Sequence, residues 1–136
     1  MSDQDTIRLL VSAGFALVGV LALAYAIRAR LGRTPAARRW MGNEFGAFTT
    51  DERMTVLGVP CLGILSLCVA ASILPVIGLY LLLITAPVGL VALLGVVWAR
   101  MLFIPLPDVI YPRWARPLRD RNRRAERATK EWLRRR

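Results

Sequence analysis

MTVLGVPCLGILSLCVAASILPVIGLYLLLITAPVGLVALLGVVWA, residues 54–99, runs for 46 positions without an Asp, Glu, Lys or Arg. A helix needs about 20 apolar residues to cross roughly 30 Å of hydrocarbon. As one helix this run would be about 69 Å long, more than twice that need. It therefore reads as two crossings joined by a tight turn. Pro75 and Gly78 mark the turn, within residues 72–78. Unpaired backbone groups are costly in lipid, so the turn is expected to reach the headgroups.

Upstream, residues 9–27 form a second charge-free run of 19 residues, enough for one more crossing. Ala24, Tyr25 and Ala26 resemble a cleavage site, but the flanks argue against a signal peptide. Asp3 and Asp5 precede the run where a signal peptide is basic, and Arg28, Arg30 and Arg33 follow it. The expected fold is an all-α integral membrane protein with three spans, at roughly residues 8–29, 52–74 and 77–102. Residues 1–104 make up the membrane domain, including a loop at 30–50. Residues 105–136 read as a proline-broken linker followed by a basic helix at roughly 117–135.

Hydrophobic residues reach 56% while charged residues still reach 21%, so the two kinds must be segregated along the chain. Their placement sets the orientation, because Lys and Arg accumulate on the cytoplasmic side. Of 19 bases, only Arg8 precedes the first span; six lie between Arg28 and Arg53, none near Pro75, and twelve from Arg100 onward. The loop and the tail share a side, being two crossings apart. That side is expected to be cytoplasmic, with the N-terminus outside. Trp40, Trp98 and Trp114 fall on it too and are candidate interface anchors. The weight of Arg, Ala, Leu and Gly suggests GC-rich coding, hence a bacterial plasma membrane.

Helices in lipid gain no hydrophobic drive from association and pack through small residues. Candidate packing positions are Ser12, Ala16 and Gly19 on the first span, with Ala26 further along the same stripe. On the second they are Gly58, Cys61, Cys68 and Ser72, and on the third Ala92 and Gly95. These faces either meet one another in a small bundle or recruit a partner. Cys61 and Cys68 lie about 10.5 Å apart along a helix, too far to form a disulfide with each other. Pro60 and Pro87 fall inside the second and third spans and are expected to bend them.

In the loop, Thr34 before Pro35 reads as an N-cap opening a short helix over 35–41. Phe45 and Phe48 are expected at the interface, and residues 49–52 fit a capping box for the second span. After Arg100 the prolines predict extended chain lying on the membrane or on the bundle, with Asp108 capping a local turn. From Arg100 onward twelve bases face four acids. Arg113, Arg116, Arg119, Arg121, Arg123, Arg124 and Arg127 are the candidate contacts for anionic lipid or a partner, each base near such a surface contributing about 1 kcal/mol. Acids four residues ahead of bases, at Asp120, Glu126 and Glu131, support the helix.

Histidine is absent, and no phosphate loop, zinc signature or nucleophile elbow is present. No charge lies within the apolar runs 9–27 and 54–99 that form the spans, where an ion or proton carrier needs one. The sequence thus predicts no enzyme, no metal and no cofactor. It predicts a small accessory or scaffolding component of a larger membrane assembly, whose partners are the bilayer, anionic headgroups, and other membrane proteins or a second copy. A tail that binds RNA or an acidic protein is a less favoured reading. The layout of three spans, outside N-terminus and basic tail is similar to that of one class of phage holins. That likeness covers topology and length, without a residue motif, and implies a pore former as the alternative.

Overall fold

The computed structural model describes residues 2–38, 53–101, 104 and 106–136. Helix α1 spans Asp3–Leu31 and starts about a turn earlier than the first apolar residue suggests. The cause is a capping box: the Ser2 hydroxyl accepts from the Asp5 amide and the Asp5 carboxylate accepts from the Ser2 amide, both at 3.3 Å. At its far end Gly32 takes a left-handed conformation, φ 54°, and its amide donates to the Arg28 carbonyl. A short helix α2, Pro35–Arg38, follows, with Thr34 Oγ1 accepting from the Ala37 amide. Its expected continuation to 41, and the capping box at 49–52, lie outside the described residues.

The second span opens with a π-helical turn, Met54–Gly58, and continues as α3, Val59–Ile73. In that turn the Val59 amide reaches back five residues to the Met54 carbonyl. Pro60 supplies the reason. In a regular helix its ring would press on the carbonyl four residues back, and a widened turn relieves that clash. The bend expected at Pro60 is thus realised as an extra residue in the turn before it.

Residues 74–77 make the hairpin, and α4, Gly78–Arg100, makes the third span. The Ile77 amide bonds the Pro75 carbonyl at 2.8 Å, closing a three-residue turn with Val76 at its centre. Val76 has φ 69°, the strained form of such a turn and an outlier for a β-branched residue. Gly78 is required here for space, since a methyl group would run into the Ser72 carbonyl.

The middle helix carries the packing. On one side α1 runs antiparallel to it at close range: a methyl added at Gly19 would lie 2.9 Å from the Gly63 carbonyl oxygen, and one at Gly63 would lie 3.1 Å from that of Gly19. Ser12, buried, donates to the Ala70 carbonyl, and Ser66 donates to that of Phe15, each at 2.7 Å. Ala16, one position on, is half-buried. On its other side α3 meets α4. There Cys61 sits against Gly95, Cys68 against Gly89, and Gly58 against Ala99, while Ser72 and Thr85 share a 2.8 Å hydrogen bond. Ala92 is buried.

Many of the buried positions fall seven residues apart, among them Ser12, Gly19 and Ala26; Val56, Gly63 and Ala70; and Ala92 and Ala99. A seven-residue repeat keeps one seam turned toward a neighbour along a left-handed supercoil. Direct packing between α1 and α4 is slight, so the three spans form an open layer around α3 rather than a closed bundle.

All three helices are long and apolar enough to cross a membrane. Only 17%, 22% and 11% of their most apolar windows are buried by protein, the middle helix most. So large an apolar surface is stable only when covered by something equally apolar, and lipid is what such helices meet. Among the described residues there is no strand.

Candidate functional site at the basic end of the bundle

The end of α1, the start of the second span, the end of α4 and the tail all converge at one end of the molecule. After α4 the chain turns back over it. Pro107 leads into a 3-10 turn, Asp108–Ile110, and helix α5 runs from Arg116 to Arg134 with Pro117 in its first turn. Leu106 and Tyr111 are buried with Val56 in a small apolar core, with Leu57 and Ile110 packed on it. The tail's root therefore lies on the bundle, as one of the two sequence readings has it, but as a folded turn and not as extended chain.

Arginines fasten this root by donating to backbone carbonyls. Arg30 donates to Ile110 at 2.7 Å, and the Trp114 indole donates back to the Arg30 carbonyl at 2.7 Å. The Trp114 ring lies over Gly32, where any side chain would collide with it. Arg38 donates to the Gly32 carbonyl and stands 5.4 Å from the centre of the Trp114 ring. Arg53, 4% exposed, donates to the Met101 carbonyl, and its other terminal nitrogen has no hydrogen-bond partner among the described residues.

Arg119 closes the arrangement. It is buried, pairs with Asp108 at 2.6 Å, donates to the Leu106 carbonyl at 2.9 Å and stacks 3.9 Å over the Tyr111 ring. It therefore departs from the expected lipid-facing set: its charge is consumed inside the protein. Asp108 likewise makes no side-chain cap on its turn and serves as the partner of Arg119, with Arg123 a further 3.6 Å away. Sequence reasoning missed this pair because the two residues are eleven apart across two prolines.

The remaining candidates divide by exposure. Arg113, Arg116, Arg124 and Arg127 are exposed. Arg121 is exposed and engaged in an interaction of its own. Arg123 is half-buried. Arg28, Arg33 and Arg100 at the span ends are exposed as well and widen the basic surface beyond the tail. From Arg124 to Arg134 every residue of α5 is exposed, so this half of the helix projects from the folded root. Within it Glu126 and Lys130 form the expected ion pair at 2.9 Å. Neither Asp120 with Arg124 nor Glu131 with Arg135 closes to an ion pair among the described residues.

Of the three tryptophans expected as interface anchors, Trp98 is exposed near the end of α4, where an interfacial ring would sit. Trp114 is half-buried and occupied by Gly32 and Arg30, so its main contacts are within the protein. Trp40 lies outside the described residues.

No model of a known protein family matches this chain, and neither a curated protein nor a solved structure matches it.

Proposed function

We propose that this chain is a non-enzymatic multi-pass membrane protein that serves as an accessory or scaffolding component of a larger membrane assembly, with the outer half of α5 docked on anionic lipid. The N-terminus lies outside and the tail in the cytoplasm of a bacterial plasma membrane. One observation carries the reading: the root of the tail is fastened to the end of α1 through Arg30 and Trp114 and held folded by Arg119, while the exposed bases beyond it are left facing outward. A fixed root holds those bases beside the headgroups. Each base near an anionic surface contributes about 1 kcal/mol, so even partial contact docks the helix.

The test is hydrogen exchange on the full chain in phosphatidylcholine nanodiscs with and without phosphatidylglycerol. Exchange over residues 124–134 is expected to slow in the anionic discs and to recover in high salt. A variant carrying Gln at Arg113, Arg116, Arg124 and Arg127 should lose the effect. Equal exchange in both discs would remove lipid docking. The assembly role is tested separately: native purification in mild detergent should retain a second membrane protein or a second copy, and a lone monomer, repeated in nanodiscs, would sink it.

A further inference from the structure

At the other end of the molecule, beside the N-terminus and the hairpin, lies a cavity of about 540 Å³. Arg8 of α1 lines one side; Leu74 of the turn and Leu79 and Leu82 of α4 line the other. It has room to exist because α1 and α4 pack on α3 and barely on each other. The volume falls in the range of about 300–1,000 Å³ that small-ligand sites occupy.

The chemistry of the walls is divided. Arg8 is the only base ahead of the first apolar run and stands one position before it. Its side chain is exposed and makes no hydrogen bond or ion pair among the described residues. Ser72 also lines the cavity, but its hydroxyl is already engaged with the Cys68 carbonyl and with Thr85. Among the lining side chains the free polar group is therefore a single cation, one position ahead of the apolar run, and the other side chains apart from Ser72 are aliphatic. That pairing suits an amphiphile with an anionic head, because the guanidinium matches a phosphate bidentately and the leucines match hydrocarbon.

We infer that this cavity binds an anionic phospholipid, with its phosphate on Arg8 and the first part of an acyl chain along Leu79 and Leu82. The site is independent of the basic tail, which lies at the opposite end of the spans. It holds its lipid by one cation and a shaped wall, where the tail uses many bases and no wall.

The experiment places a photoreactive benzoylphenylalanine at Leu82 in the full chain, reconstituted in vesicles of equal parts phosphatidylcholine and phosphatidylglycerol. Mass spectrometry of the adducts then gives the ratio of the two lipids captured. The ratio of phosphatidylglycerol to phosphatidylcholine among the adducts is expected to exceed the bulk ratio about fivefold, the preference that one base near an anionic headgroup confers. Arg8→Gln should return the ratio to bulk, Arg8→Lys should keep part of the preference, and Arg113→Gln should leave it unchanged. The inference is overturned by a bulk ratio in the parent chain, by enrichment that survives Arg8→Gln or falls with Arg113→Gln, or by adducts to protein, which would mean a second copy fills the cavity. Loss of enrichment on adding inorganic phosphate would reassign Arg8 to a soluble anion and overturn it as well.

Discussion

Gly14 and Gly19 look alike in the sequence, each a glycine in an apolar helix, yet they have opposite environments. A methyl group at Gly19 meets the Gly63 carbonyl and Leu67, while one at Gly14 meets nothing within 4 Å. Gly19→Leu is therefore expected to destabilise the full chain by about 1–3 kcal/mol through overpacking. Gly14→Leu should stay within about 0.5 kcal/mol of the parent, as surface changes do. Thermal unfolding in detergent, followed by circular dichroism, compares the two directly; equal losses would mean that α1 does not pack on α3 through Gly19. The small-residue stripe was readable because seven-residue spacing is visible in a sequence. Gly63, Ser66 and Ala70 were not, because the reading assigned the middle helix a single packing stripe and it has two. A stripe shows that a face can pack; only the neighbour shows which glycine is needed.

Among elements, the three spans were legible in number and order, since charge-free length alone requires them. Their ends were less so. Asp5 stands in the capping box where Glu or Gln is the usual signal, so the first turn of α1 was hidden. The π-helical turn was hidden too, because Pro60 announces a disturbance without saying how the backbone absorbs it. The tail's latch was the least visible part. Arg119 is one of many arginines, and nothing in its immediate sequence distinguishes the one that turns inward toward Asp108 and Tyr111. Arg119→Ala removes a charge-assisted bond and exposes the Leu106 carbonyl, a loss of about 1.5–3 kcal/mol per bond of this kind. Local opening should rise accordingly, so amide exchange over residues 106–122 is expected to accelerate by at least about tenfold. Arg124→Ala, on the exposed half of the same helix, should leave that segment unchanged. Matching exchange in both variants would mean the latch does not hold the tail.

For the whole molecule, the proposed orientation rests on where the bases stand. An epitope tag at the N-terminus of the full chain should be removed by protease added to intact cells, and a tag at the C-terminus only after lysis. The reverse pattern would invert the topology and with it the leaflet that each end meets. The latch also has a consequence in time. Arg30 and Ile110 are 80 residues apart, and Trp114 returns to Arg30 across 84. At about 5–20 residues per second of synthesis, Ile110 is added roughly 4–16 s after Arg30. Through that interval the first span exists with its Gly32 end unfastened, and the hairpin of α3 and α4 is built before the clasp arrives. A chain interrupted before Ile110 would hold all three spans and still lack the clasp. Its open end at Gly32 would then distinguish an unfinished copy from a finished one to any quality-control protease working at that surface.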